Sequence, residues 1–230
     1  MPNQSKDIEL FETLKTKLFT AVVGDILDKL GFLNQFLPAA IRPLKPEMKL
    51  AGRAMPVLEA DVFDLGRESS KGPLAHKPFG IMLEALDDLK PGEIYIATGA
   101  SLNYALWGEL MSTRALHLKA AGAVLDGYIR DAGGIEALNF PTFGRGIYAQ
   151  DQGPRGKVID FRSSIKIGNI LINPGDLIFG DREGVLIIPH EAEDETIRLS
   201  LEKANTENTV AKAIREGASA VEAFEKYGVM

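Results

Sequence analysis

Glu109, Arg130 and Asp131 are the residues of this chain whose types and spacing best suit chemistry. Asp131 is a hard oxygen ligand. With Glu109 facing it, the pair could hold a Mg²⁺-type ion directly or through waters. Arg130 carries a planar fork suited to a carboxylate or phosphate. An anion seat beside a metal seat fits a ligand in which a carboxylate adjoins a carbonyl, such as a 2-oxo acid. The metal would chelate both groups and polarise the carbonyl.

Whether these residues meet depends on the elements that carry them. "EIYIATG" reads as a strand over 94–98, "ALWGELMSTRALHLKAAG" as a helix over 106–121 and "AVLDGYI" as a strand over 123–129. If the two strands are parallel neighbours, the start of the helix and the end of the second strand share one carboxyl edge, where open α/β sheets bind ligands. Gly108, Glu109, Leu110 and Met111 should then converge on Arg130 and Asp131. Free N–H groups in the first helical turn would add to the anion seat. Without that convergence the residues are ordinary. An Arg-Asp pair in a loop is usually solvated and worth little, and Glu109 is a common first-turn acid.

The rest of the chain sets the frame. Its 230 residues suffice for a large core, and 45% hydrophobic with 25% charged residues is ordinary globular composition. The net charge is −6 with no basic stripe, which argues against nucleic acid as a partner. There are no cysteines, so disulfides and thiolate chemistry are excluded. The N-terminus lacks a signal-peptide pattern and the apolar runs are strand-sized, so no membrane span and a cytoplasmic location are expected.

Residues 7–30 read as helical, with Gly24 a candidate break into two helices. A strand is expected near 51–60, a polar loop over 66–80 and a short helix in "IMLEALDDLK". "IEALNF" and "PTFGRGI" read as a further helix and strand, which completes a β-α-β-α-β unit. Short strands follow from 157, then one or two amphipathic helices. The expected division is an α/β domain over 1–190 and a helical tail over 191–230, packed on the domain or on a neighbouring subunit.

"GELMSTRALHLKAAGAVLDGYIRDAGGIEALNFPTFGRG" resembles the core of the RraA-like family, which holds 4-hydroxy-4-methyl-2-oxoglutarate/4-carboxy-4-hydroxy-2-oxoadipate aldolases and regulators of ribonuclease activity. The signature is an acid, twenty residues, then Arg-Asp: here Glu109, then Arg130-Asp131. "GDILDKLG", "IRPLKPEMKLAGRA" and "INPGDLIFGDREGVLIIP" extend the likeness over roughly 20–190.

The resemblance implies a swivelling β/β/α-type α/β domain and a class II-like pyruvate aldolase using Mg²⁺, Mn²⁺ or another divalent metal. It implies Asp131 as metal ligand and Arg130 as the clamp on the substrate carboxylate and carbonyl. It places the backbone N–H groups of Leu110 and Met111, following Gly108, on the pyruvate carboxylate, and has Glu109 orient a metal-bound water. Aldolase members commonly carry Asp where this chain has Glu109, and regulators Gly. Oxaloacetate decarboxylation is an implied side activity, and a homotrimer or hexamer the implied assembly. A non-catalytic regulator that binds a ribonuclease or helicase is the alternative. A third reading is action on another sugar-acid-derived 2-oxo acid, chosen by loop 66–80.

Other features carry less. Lys119 reads as a C-terminal helix charge rather than a Schiff-base lysine. His76, His117 and His190 lack metal spacing, with His76 a minor candidate for reaching a ligand. "GPRGK" is not a phosphate loop, because Asp151 stands where a glycine is needed. Glu59 and Asp61 read as the solvent face of their strand, and Asp181 and Glu183 as turn formers.

Overall fold

The computed structural model describes residues 4–63 and 72–229. Part of loop 66–80 therefore lies outside the described residues. In chain order the elements are α1 (Gln4–Lys17), α2 (Thr20–Lys29), β1 (Arg42–Pro43), β2 (Leu50–Asp61), α3 (Met82–Asp87) and β3 (Glu93–Thr98). Then come β4 (Ala105–Trp107), α4 (Glu109–His117), β5 (Gly122–Leu125), β6 (Tyr128–Ile129), α5 (Ala132–Leu138) and β7 (Thr142–Gly144). β8 (Gly156–Phe161), β9 (Ile165–Ile167), β10 (Ile170–Ile172), β11 (Leu177–Asp181) and β12 (Gly184–Ile188) follow. A 3₁₀ turn, His190–Ala192, leads into α6 (Glu193–Arg215) and α7 (Ala220–Tyr227).

The main sheet runs β1-β7-β5-β3-β2-β11-β12, with β8 paired to the far end of β2. Its centre, β2-β3-β5-β7, is parallel, and its margins are antiparallel. Residues alternate sides along a strand. On β3, Tyr95 and Ala97 face one core with Trp107 and Phe140, beneath α3, α4 and α5. Ile94 and Ile96 face the other, with the β9–β10 hairpin. A third cluster joins α1 and α2 to β11, β12 and α6.

Four local readings need correction. The first helical run breaks at Leu18–Phe19 and not at Gly24. Gly24 is a close-packing position, since a Cβ there would lie 2.3 Å from the Phe36 ring. The helix expected over 106–121 begins at Glu109, because "ALW" is strand β4. "AVLDGYI" is two strands, broken at Asp126–Gly127. Asp181 does more than form a turn: it is buried and accepts from the backbone N–H (2.8 Å) and Oγ1 (2.7 Å) of Thr20, which fastens the start of α2.

The break at 126 moves the site. At the carboxyl edge of the central sheet, Asp126 accepts from Thr98 Oγ1 (3.0 Å) and Arg145 Nε (2.7 Å). That network occupies the edge where the sequence placed the ligand. The chain instead runs on into a second, two-stranded parallel pair, β4–β6, which registers Ala105 with Tyr128 and Trp107 with Ile129. The convergence is achieved by this small pair and not by β3 and β5.

Candidate functional site

The β4–β6 pair fixes both halves of the site. Arg130 N–H donates to Trp107 C=O at 2.9 Å, so the backbone just past β6 is tied to the residue just before Gly108. Trp107 is 1% exposed, lies near the Tyr95 ring (4.9 Å between centroids), and donates Nε1–H to Ser112 Oγ at 2.7 Å. That buried side chain anchors the first turn of α4 to the core.

Asp131 sits at φ 55, ψ 36, the left-handed region, immediately before α5. An aspartate tolerates this conformation better than most residues. It turns the carboxylate back toward α4, where Oδ2 lies 3.4 Å from Glu109 N and 3.4 Å from Arg130 Nε. The Asp131 side chain stays 42% exposed, open to solvent and ligand.

Arg130 spreads its fork between two acids. Nε faces Asp131, and Nη1 donates to Asp151 Oδ1 at 2.5 Å. Nη2 has no partner among the described residues, which leaves one donor edge for an anion. The N–H groups of Leu110 and Met111 fall in the first turn of α4, where no intrahelical acceptor exists. The Leu110 side chain is 84% exposed and that of Met111 packs on the core below. Of the residues named from sequence, Gly108, Glu109, Arg130 and Asp131 thus meet, with the backbone of Leu110 and Met111 beside them.

Two glycines leave room for the acids. A Cβ on Gly108 would stand 2.7 Å from Asp131 Oδ2, and one on Gly134 would stand 2.2 Å from Glu109 Oε2. The Glu109 carboxyl therefore lies over the start of α5, beside Gly134. Gly108→Ala is expected to lower activity about tenfold or more by turning the Asp131 carboxylate away, with a melting temperature close to wild type. Gly134→Ala displaces Glu109 alone, so steady-state kinetics of the two variants separate the acids. Equal, wild-type kinetics for both would mean that neither carboxyl placement matters.

Asp151 and Glu59 were not foreseen here. Asp151, considered only as a missing phosphate-loop glycine, is the counter-ion of Arg130; a lone acid in "QDQG" carries no local signal. Glu59 is not on a solvent face. It is 2% exposed on the same side of β2 as Met55 and Val57, covered by the 150–156 turn, and accepts from Gln152 Nε2 at 2.8 Å. Burial, and then the nearby Asp61, push its carboxyl up to about 8. Burial also acts to raise Asp61, but donation from Ser101 N (2.9 Å) and Tyr104 Oη (2.8 Å) outweighs it and holds that group below the usual carboxylate range. His76 and His117 make no contact with this cluster among the hydrogen bonds of the described residues. Lys119 is at φ 62, past the end of α4.

The model of the RraA-like family, described as Aldolase/RraA, matches residues 20–187. The chain belongs to the RraA-like family. Protein DlpA of Legionella pneumophila is 30% identical over 208 residues, 90% of this chain and 32% of its own length. The chain thus spans about a third of that relative. A Halalkalibacterium halodurans protein named "Putative 4-hydroxy-4-methyl-2-oxoglutarate aldolase" is 29% identical over 89% of each chain. A solved structure described as novel cellulases from microbes associated with the gut ecosystem superposes with a TM-score of 0.78 at 28% identity, over 91% of this chain and 89% of its own.

The divalent cation implied by this RraA-like membership can be tested against the donors present. Asp131 supplies one open carboxylate, and no group of three or more His, Cys, Asp or Glu suited to an ion occurs among the described residues. Mg²⁺ keeps several waters and needs only one or two carboxylates. The donor set therefore fits an ion held by Asp131 and water, and does not fit a fully protein-caged ion. No helix among the described residues is long and apolar enough to cross a membrane.

Proposed function

We propose that this chain is a divalent-metal-dependent lyase that cleaves a 4-hydroxy-2-oxo acid to pyruvate and a second oxo compound. The observation that carries the reading is the free edge of Arg130 beside the open Asp131 carboxylate at the first turn of α4. The relatives named as aldolases point the same way.

In this reading the substrate carboxylate sits on the N–H groups of Leu110 and Met111, and Arg130 Nη2 reaches the 2-oxo oxygen. Asp131 would hold the metal, which when bound would supply Lewis-acid polarisation. Glu109 orients a water that takes the C4 hydroxyl proton. The C3–C4 bond breaks, its electron pair moves toward the 2-oxo oxygen beside Arg130, and the second oxo fragment departs. A water returns one proton to C3 and gives pyruvate. Preorganised charge at the oxygen is where catalysis of this kind gains most. Oxaloacetate passes through the same enolate, so decarboxylation accompanies aldolase activity. A trimer or hexamer is the proposed assembly, for which exposed Leu110, Ile147 and Tyr148 offer apolar surface.

A panel of 4-hydroxy-2-oxo acids and oxaloacetate, read by coupled pyruvate detection with and without Mg²⁺ or Mn²⁺, tests this. Metal-dependent release, lost in Asp131→Ala, is the expected result. Inactivity of metal-loaded protein on every compound would sink the reading and favour the ribonuclease-regulator alternative.

A further inference from the structure

Glu59 lies sealed beneath the site with no task in the reaction above. Its Oε2 accepts from Gln152, while its Oε1 has no partner among the described residues. Tyr95 Oη, on the adjacent strand β3, is likewise buried and unpartnered. The groups facing Glu59 are Asp61 on its own strand, Tyr95 on β3, Tyr104 ahead of β4, and Gln152. Lys157 on β8 spends its ammonium on the carbonyls of Leu74 and Ala75. With no cation to offset its charge, a carboxyl group so buried keeps its proton, consistent with its upward shift.

What Glu59 grips is the turn over 150–156. Gln152 is 4% exposed, and its C=O accepts from Arg155 N (2.7 Å) and Gly156 N (2.9 Å). Its side chain is the inner pin of that turn. On the outer side, Asp151 accepts from Gly153 N at 2.9 Å and from Arg130 Nη1 at 2.5 Å. The contacts therefore run without a gap from the core to the anion clamp.

We propose that Glu59 is a positioning residue: through Gln152 it fixes the 150–156 turn, and through Asp151 it sets the angle of the Arg130 fork toward a bound 2-oxo acid. The choice of ligand rests on the 2-oxo acid reading; the mechanical claim does not. Protonated, Glu59 tolerates its surroundings and holds Gln152. Ionised, it draws in water and releases the turn, so anion binding weakens on the alkaline side.

Two measurements on the 230-residue chain test this. The first is calorimetric binding of pyruvate with Mg²⁺ from about pH 6 to 9. Wild-type affinity is expected to fall about tenfold across the upper half of that range. Glu59→Gln should bind as wild type at neutral pH and lose the alkaline fall. Gln152→Leu should bind weakly at every pH. The second is amide hydrogen exchange over 150–156, corrected for intrinsic pH effects. Protection should be equal in wild type and Glu59→Gln at neutral pH and reduced in Gln152→Leu. An alkaline fall that survives in Glu59→Gln, or unchanged protection in Gln152→Leu, overturns the proposal. If pyruvate binds through Arg130 but no 2-oxo acid is cleaved, the lyase reading fails and the positioning claim stands. If Arg130→Ala binds pyruvate as wild type does, the clamp reading fails, and hydrogen exchange alone decides whether Glu59 holds the turn.

Discussion

Replacing Arg130 with lysine is expected to lower kcat/KM for the proposed pyruvate release about a hundredfold, and alanine to lower it further. The reason lies in the fork. Arg130 uses Nη1 on Asp151 and Nε toward Asp131, and offers Nη2 to the ligand. An ammonium is a single point with a strong preference for water, so it cannot face two acids and still present a planar edge. The backbone bond from Arg130 N to Trp107 C=O does not involve the side chain, so the variants keep their fold. Coupled pyruvate assays beside thermal melts check this. Lysine at wild-type efficiency would remove the clamp from the mechanism. Asp151→Asn should fall between wild type and Arg130→Lys, because it weakens the hold on Nη1 without removing the guanidinium.

Native stability is expected to fall as pH rises from about 5 to about 8, and Glu59→Gln to flatten most of that slope. The sign follows from proton counting. Burial lifts the Glu59 carboxyl from an ordinary 4.5 to about 8 in the folded chain. Below the lower value, both states hold the proton and the group has no effect on the balance. Between the two, the unfolded chain has lost it and the native chain keeps it, so stability drops by about 1.4 kcal/mol for each pH unit. Above the upper value both are ionised and the loss is complete. Glutamine preserves an acceptor for Gln152 and does not titrate. For a chain of this size each kcal/mol is worth about 2–4 °C in melting temperature, so melts at a fixed protein concentration near pH 5 and pH 8 resolve the difference. Asp176, buried and raised chiefly by that burial, adds to the slope with the same sign. A Glu59→Gln variant that keeps the wild-type slope would mean that Glu59 is ionised in the fold.

The meeting of Glu109, Arg130 and Asp131 was legible because their spacing spans one helix and one strand return. What the sequence misplaced was the strand pair responsible. "AVLDGYI" is apolar throughout, and periodicity cannot reveal that Asp126 stops one strand to cap the sheet edge while Tyr128 begins another. "ALW" was absorbed into a helix for the same reason, since three apolar residues fit either element. Glu59 looked solvent-facing because "VLEADV" alternates, yet a strand covered on both sides buries its polar members too. Asp151 had no local pattern: its role comes from a turn more than ninety positions after the strand that pins it, through the Glu59–Gln152 bond.

The left-handed backbone at Asp131 bears on how chains of this kind diverge. Only glycine, asparagine and aspartate occupy φ 55 readily, so most replacements at 131 strain the turn into α5. The substitutions that a lineage can accept there without harming the scaffold are the two that erase the carboxylate. Each is a single-nucleotide step from an aspartate codon. Selection for folding alone would therefore let the proposed metal ligand drift away while the sheet, α4 and Arg130 persist. Descendants of such a chain would inherit an intact anion seat on a stable frame, released from its chemistry and open to other work.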